Sequence, residues 1–185
     1  YTERRAQLKS HFKSGILLFP GNDESSMNYL DNTYHFRQDS SFLYYFGLDH
    51  QAGLAGLMDI DHDTDYIFGN DYTIDDVVWM GSMPCIHERS EKAGIRKTGT
   101  IAELEQFLRK AQSKGRTIHF LPAYRPEHQI KLFNWLGIPV NDTNRHASVE
   151  LITAVGEQRN VKSEEEIEQL EEVVSLTADM HTAAM

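Results

Sequence analysis

Four aspartates at every second position, Asp59, Asp61, Asp63 and Asp65, have a spacing that speaks to chemistry. Oxygens at positions 1, 3 and 5 of a calcium loop converge on the cation in this way, but such a loop also needs a glycine at position 6 and a bidentate glutamate at position 12. Here those places hold Thr64 and Asn70, so the run reads as a solvated hairpin tip. Nine histidines invite a search for zinc, copper, iron or manganese ligands. None stands in a His-x-x-x-His or His-Glu-x-x-His arrangement, and they are scattered over elements of different kind, as surface or packing residues are. Cys85 and His87 are neighbours in sequence only; thiol catalysis needs an imidazole brought near in space and an activating environment. No nucleophile elbow, phosphate-cradling Gly-Lys loop or dinucleotide fingerprint is present. Asn141-Asp142-Thr143 fits a glycosylation sequon, which is too short to carry weight by itself.

The elements that would position these residues follow from periodicity and punctuation. Thr2 to Phe12 reads as an amphipathic helix capped by Thr2 and ended by Gly15, with Leu8 and Phe12 on one face. Ile16-Leu17-Leu18-Phe19, closed by Pro20-Gly21-Asn22, is an all-apolar run typical of a strand covered on both faces. Six of the thirteen residues from Tyr34 to Phe46 are aromatic, and alternation of Phe42, Tyr44 and Phe46 against Leu43 and Tyr45 predicts a second buried strand. Leu54 to Ile60 and Tyr66 to Phe68 predict an antiparallel pair joined through the aspartate run. Helices are expected over Thr73 to Met80, Ile86 to Ala93, from Thr100 through Leu108, and over Pro126 to Leu136; strands over Thr117 to Leu121 and Ile138 to Val140. This order predicts an α/β domain, a mixed β-sheet flanked by helices. Lys162 to Met185 adds a C-terminal helix opened by a capping box of Ser163 and Glu166, with Ile167, Leu170 and Val174 as its apolar stripe.

Composition narrows the partners. The chain has 185 residues, 40% hydrophobic, and 28 acidic against 18 basic side chains for a net charge of −10. That charge repels phosphate backbones and anionic lipid surfaces, so neither nucleic acid nor membrane is an expected partner. A single cysteine forms no internal disulfide, which points to a reducing, cytoplasmic setting. Residues 157–185 hold eight acids against two bases, and the last helix has no stop signal, so the chain reads as part of a longer one.

The residues alone define an α/β domain without a recognisable active site. The stretch Tyr34-His35-Phe36-Arg37-Gln38-Asp39-Ser40-Ser41-Phe42-Leu43-Tyr44-Tyr45-Phe46-Gly47-Leu48, however, resembles the aromatic Arg-Gln-Asp-Ser segment in the N-terminal domain of Xaa-Pro aminopeptidases. Val78-Trp79-Met80-Gly81 resembles that family's Trp-x-Gly step. Arg159-Asn160-Val161-Lys162-Ser163, followed by Glu166-Ile167 and Leu170, resembles its lead-in to the catalytic domain, and His181 to Met185 the continuation of the first catalytic helix. The resemblance implies a non-catalytic N-terminal domain over residues 1–158, of the creatinase and aminopeptidase P type, and a linker and first catalytic-domain helix over 159–185.

It further implies a peptidase that removes the residue before a proline, using two manganese ions held by five ligands in a C-terminal half downstream of this sequence. Metals roughly 3.5–4 Å apart polarise the scissile carbonyl and hold the attacking hydroxide. No catalytic or metal-binding residue is therefore expected here, and the expected partners are a proline-containing peptide, the chain's own catalytic half and further copies in a homo-oligomer. The family's pattern places Trp79 in a neighbouring subunit's substrate pocket and Asp31 at its mouth. Arg37 and Asp39 are expected as a structural ion pair, Arg159 and Lys162 as junction residues. Prolidases and creatinase share the architecture, and a non-catalytic α/β binding or assembly module is the reading from a different class.

Overall fold

The computed structural model describes residues 1–185. Helix α1 (Thr2–Lys9) leads into β1 (Ile16–Pro20), α2 (Ser40–Phe46) and the hairpin strands β2 (Ala55–Asp59) and β3 (Thr64–Phe68). Two short helices, α3 (Ile74–Met80) and α4 (Ile86–Lys92), precede β4 (Lys97–Gly99), α5 (Ile101–Ser113), β5 (Ile118–Phe120) and α6 (Pro126–Leu136). A 3-10 segment over Val140–His146 is followed by α7 (Val149–Asn160) and α8 (Glu164–Ala184).

The five strands lie in the order β4-β3-β2-β1-β5. Strand β2 is antiparallel to both neighbours, β5 is parallel to β1, and β4 is parallel to β3. Successive side chains of a strand face opposite ways, so β1 feeds two cores. Leu17 and Phe19 join Leu8, Phe42, Phe46, Ile86 and Leu151 from α1, α2, α4 and α7. Ile16 and Leu18 join Leu104, Leu108, Leu132 and Trp135 from α5 and α6. Helices cover both faces, which is why β1 reads as an unbroken apolar run. The expected mixed sheet with flanking helices and a C-terminal helix is the fold observed.

The aromatic segment departs from expectation: Ser40–Phe46 is helical, not extended. The Asp39 carboxylate accepts the backbone N–H of Ser41 and Phe42, each at 2.9 Å, and Gly47 closes the helix in the left-handed region at φ +69°. Phe42, Tyr45 and Phe46 then share the buried face at helical spacing. The Phe46 ring lies so close to β2 that a Cβ on Gly56 would stand 2.3 Å from it.

Smaller corrections have equally local causes. Tyr1, without a side-chain bond, occupies the cap position of α1 in place of Thr2, and the helix ends at Lys9. No strand forms over Ile138 to Val140, because Pro139 lacks an N–H and the chain turns into the 3-10 segment. Strand β4 and helix α7 were not expected. The aspartates, expected as a solvated tip, are ion-paired: Asp59 and Asp61 with Arg116, Asp63 with Lys9 at 2.6 Å, and Asp65 with Arg5 at 2.7 Å. Burial pushes the Asp59 carboxyl up, but bonds from Arg116 and His62 outweigh it and hold it below the usual carboxylate range.

Two polar networks tie the helical layer together. Arg5 is fully buried and donates to Asp65, to the Tyr45 carbonyl at 2.8 Å and to the Ala93 carbonyl at 2.8 Å, joining α1 to β3, α2 and the end of α4. The Tyr45 hydroxyl donates to Gln158 Oε1 at 3.0 Å, and Gln158 Nε2 donates to the Arg4 carbonyl at 3.0 Å, fixing α7. Helix α8 opens with the expected Ser163 and Glu166 capping box and buries none of its residues. Arg4 reaches Glu166 at 3.3 Å. No helix is long and apolar enough to cross a membrane.

Candidate functional site

Because β1 and β3 are both antiparallel to β2, they end at the same edge of the sheet, and so do β4 and β5. The segments leaving β1 and β3 at this edge carry Asp31 and Trp79. Both strands are separated only by β2, or about 10 Å at the usual strand spacing.

The rim is held by side chains filling the hydrogen-bonding needs of irregular backbone. Gln38 is the hub: its Oε1 accepts from Asn22 N at 2.8 Å, and its Nε2 donates to the carbonyls of Leu48 at 3.2 Å and Gln51 at 2.9 Å. Gln51 Oε1 in turn accepts from Arg89 Nη1 at 2.6 Å, and the same nitrogen lies 3.3 Å from the Tyr72 hydroxyl at the approach to α3. On the other side, the Gly21 carbonyl accepts from His128 Nε2 at 3.1 Å and from Lys131 Nζ at 2.9 Å. Burial lowers the pKa of His128, and the Gly21 carbonyl, which can only accept, calls for a proton on its Nε2.

Helix α3 stands on this rim as an arm. Its loop is closed at the base by Ile86 N donating to Asp71 Oδ1 at 2.7 Å. Thr73 and Asp76 form a capping box, whose bonds from Thr73 hold the Asp76 carboxyl below its ordinary pKa. None of its residues is buried, and Trp79 is 86% exposed with Ile74, Val78 and Met80 also in solvent. A short helix with no buried residue and an apolar surface is unusual enough to mark an interaction surface. Asp31 sits in a second projection, a turn closed by Met27 N donating to the Asn32 carbonyl at 2.8 Å and by a Ser26 to Thr33 bridge. Its carboxylate is exposed and makes no ion pair.

The other singled-out residues lie elsewhere in the network. The expected Arg37–Asp39 ion pair does not form, because Asp39 is committed to capping α2, while Arg37 contributes its carbonyl, which accepts from Asn22 Nδ2 at 2.8 Å. Arg159 packs 5.3 Å from the Tyr44 ring and donates to Ser41 Oγ at 3.4 Å, and Lys162 donates to the Arg159 carbonyl. Their contacts are with α2 and the end of α7, not with Asp31 or Trp79. Cys85 sits at the start of α4, where its N–H donates to Glu88, and His87 turns to Glu91 at 3.6 Å. Gln38, Arg89 and His128 escaped the sequence reading. Gln38 lay inside the aromatic stretch without an assigned role; no local pattern marked the other two.

Residues 1–119, well over half of the chain, match the family described as aminopeptidase P, N-terminal domain. The chain belongs to that family. A relative of this aminopeptidase P-type domain, a probable Xaa-Pro aminopeptidase PEPP from Sordaria macrospora, is 26% identical over 176 residues, which cover 91% of this chain and 28% of the relative. Among solved structures, an Escherichia coli aminopeptidase P variant in complex with substrate superposes with a TM-score of 0.71 at 20% identity, covering 98% of this chain and 42% of that one. The low-pH form of E. coli aminopeptidase P gives 0.60 at 20% identity, over 74% of this chain and 31% of that one. The chain thus spans less than half the length of these proteins. Within this aminopeptidase P-type domain no three His, Cys, Asp or Glu side chains converge to hold a metal. Residues 1–185 do not fit a two-metal cage.

Proposed function

We propose that this chain is the non-catalytic N-terminal part of a manganese-dependent metallopeptidase that removes the N-terminal residue from peptides with proline in second position. Its roles are oligomerisation and completion of the substrate rim of a neighbouring subunit, with Trp79 as the principal contact and Asp31 beside it. Residues 1–158 form the accessory domain. Residues 159–185, beginning in the last turn of α7 and continuing through α8, belong to the junction and the first helix of the catalytic half. Membership of the aminopeptidase P N-terminal domain family supports the enzyme class.

The observation that carries the rim role is the α3 arm, a folded, capped helix that leaves Trp79 86% exposed. An indole offers a large rigid face to a side chain or a proline ring at small entropic cost. A carboxylate on the projection that leaves β1 suits the ammonium end of a peptide. The solvent-facing Ile167, Leu170 and Val174 of α8 supply a surface for the remainder of the subunit. The single Cys85 favours a reducing cytoplasm as the setting.

The test compares Xaa-Pro peptide hydrolysis by the full-length protein with that by residues 1–185, both with added manganese. The reading expects chelator-sensitive cleavage by the first and none by the second. Cleavage by the fragment, or a full-length protein that binds manganese yet leaves Xaa-Pro peptides intact, contradicts it.

A further inference from the structure

We infer that the groove between α4 and the turn over residues 47–51 binds the C-terminal carboxylate of a peptide ending in an apolar residue. The groove has a volume of about 380 Å³, within the range of small-ligand sites. Leu48, Met83 and Pro84 give it an apolar wall, and Arg89 and Lys92, one helical turn apart on α4, give it two cations.

Those cations are available. In a chain where acids outnumber bases 28 to 18, neither Arg89 nor Lys92 has a carboxylate within ion-pair range. The neighbouring acids of α4 are engaged elsewhere: Glu88 accepts the Cys85 N–H at 2.9 Å, and Glu91 faces His87 at 3.6 Å. Asp49, the groove's own carboxylate, lies 3.3 Å from His50.

Arg89 is also preorganised. Its Nη1 is anchored by Gln51 Oε1 and the Tyr72 hydroxyl, and its guanidinium lies 4.9 Å from the Tyr72 ring centre. Nε and Nη2 have no protein acceptor, and these two groups are one edge of the planar guanidinium fork that takes a carboxylate bidentately. Holding the guanidinium in advance removes much of the ordering cost of binding. A bare anion would leave Leu48, Met83 and Pro84 wet, whereas an apolar residue attached to the carboxylate covers them. This site is independent of the peptidase reading, since it uses neither Trp79 nor the proposed catalytic half.

The experiment is an NMR titration of the 185-residue chain, following the Met83 methyl and Arg89 side-chain signals with N-acetylleucine, N-acetylleucinamide and acetate. N-acetylleucine is expected to shift both signals saturably, while the amide and acetate each bind at least about 10-fold more weakly, the loss of one charge-assisted contact or one apolar contact. Arg89→Gln should weaken N-acetylleucine by about 10-fold or more, and Lys92→Gln, at an exposed position that leaves folding intact, by a few-fold. Equal binding of acid and amide, acetate binding as tightly as N-acetylleucine, no saturable shift, or unchanged affinity in folded Lys92→Gln and Arg89→Gln would each overturn the inference.

Discussion

Replacing Trp79 by alanine separates a packing role from a surface role. With 86% of the residue exposed, only about 35 Å² of a side chain of up to roughly 250 Å² is covered, worth at most about 1 kcal/mol at about 25 cal/mol per Å². Alanine is also the better helix former by a few tenths of a kcal/mol, and the Thr73 and Asp76 capping box of α3 is untouched. Urea unfolding of the 185-residue chain should therefore show Trp79→Ala within about 1 kcal/mol of the parent, a shift of roughly 2–4 °C in Tm at this size. Truncating a buried tryptophan instead costs about 3–5 kcal/mol. A loss in that range would refute the placement of α3 as an arm and return Trp79 to the core.

Arg5→Met should cost about 3 kcal/mol in the same assay, the lower end for breaking a buried pair, because Asp65 keeps Lys9 at 3.2 Å while two carbonyls lose their donor; a loss under 1 kcal/mol would contradict the buried geometry. Asp39→Ala should cost about 1 kcal/mol and Asp39→Asn much less, since either oxygen-bearing side chain caps α2; equal effects would restore the extended reading of the aromatic segment. Burial lowers the pKa of His119 and of His128 below the ordinary 6.5, so the folded state favours neutral imidazole. Their contribution is complete above about pH 6.5 and is lost as pH falls below it toward the folded-state pKa, because the unfolded chain takes up protons first. The urea midpoint should drop between about pH 7 and pH 5, and the His119→Gln, His128→Gln double variant should flatten that slope.

Much of the fold was legible because its signals are local. Pro20-Gly21 ended β1, Thr100 opened α5, and Ser163 with Glu166 opened α8. The segment Phe42 to Phe46 was ambiguous because an unbroken run of large apolar and aromatic residues satisfies a period of 2 and a period of 3.6 alike. What decides between them is the cap at Asp39 and the left-handed Gly47, two residues outside the run. Strand β4 is three residues long at the sheet's edge and carries no alternation. Helix α7 lacks a clean stripe, since Val149 and Ile152 are exposed while Leu151 and Val155 are buried. The fully buried Arg5 was invisible for a different reason: its partners lie 40, 60 and 88 residues away. At the candidate site, Trp79 and Asp31 were singled out by family resemblance, and the structure leaves both exposed. The Gln38, Gln51 and Arg89 chain that braces the rim between them depends on tertiary proximity and left no mark in spacing.

The claim that Trp79 acts in trans is tested most directly by subunit mixing in the full-length protein. One subunit carries Trp79→Ala with an intact catalytic half; the other keeps Trp79 with its catalytic half inactivated. The account predicts a low kcat/KM for the first alone on peptides extending past the cleaved bond, no activity for the second alone, and recovery of kcat/KM in the mixed oligomer. Mixed oligomers that form but stay at the level of the Trp79→Ala subunit, or a Trp79→Ala protein with unchanged kcat/KM, would contradict it.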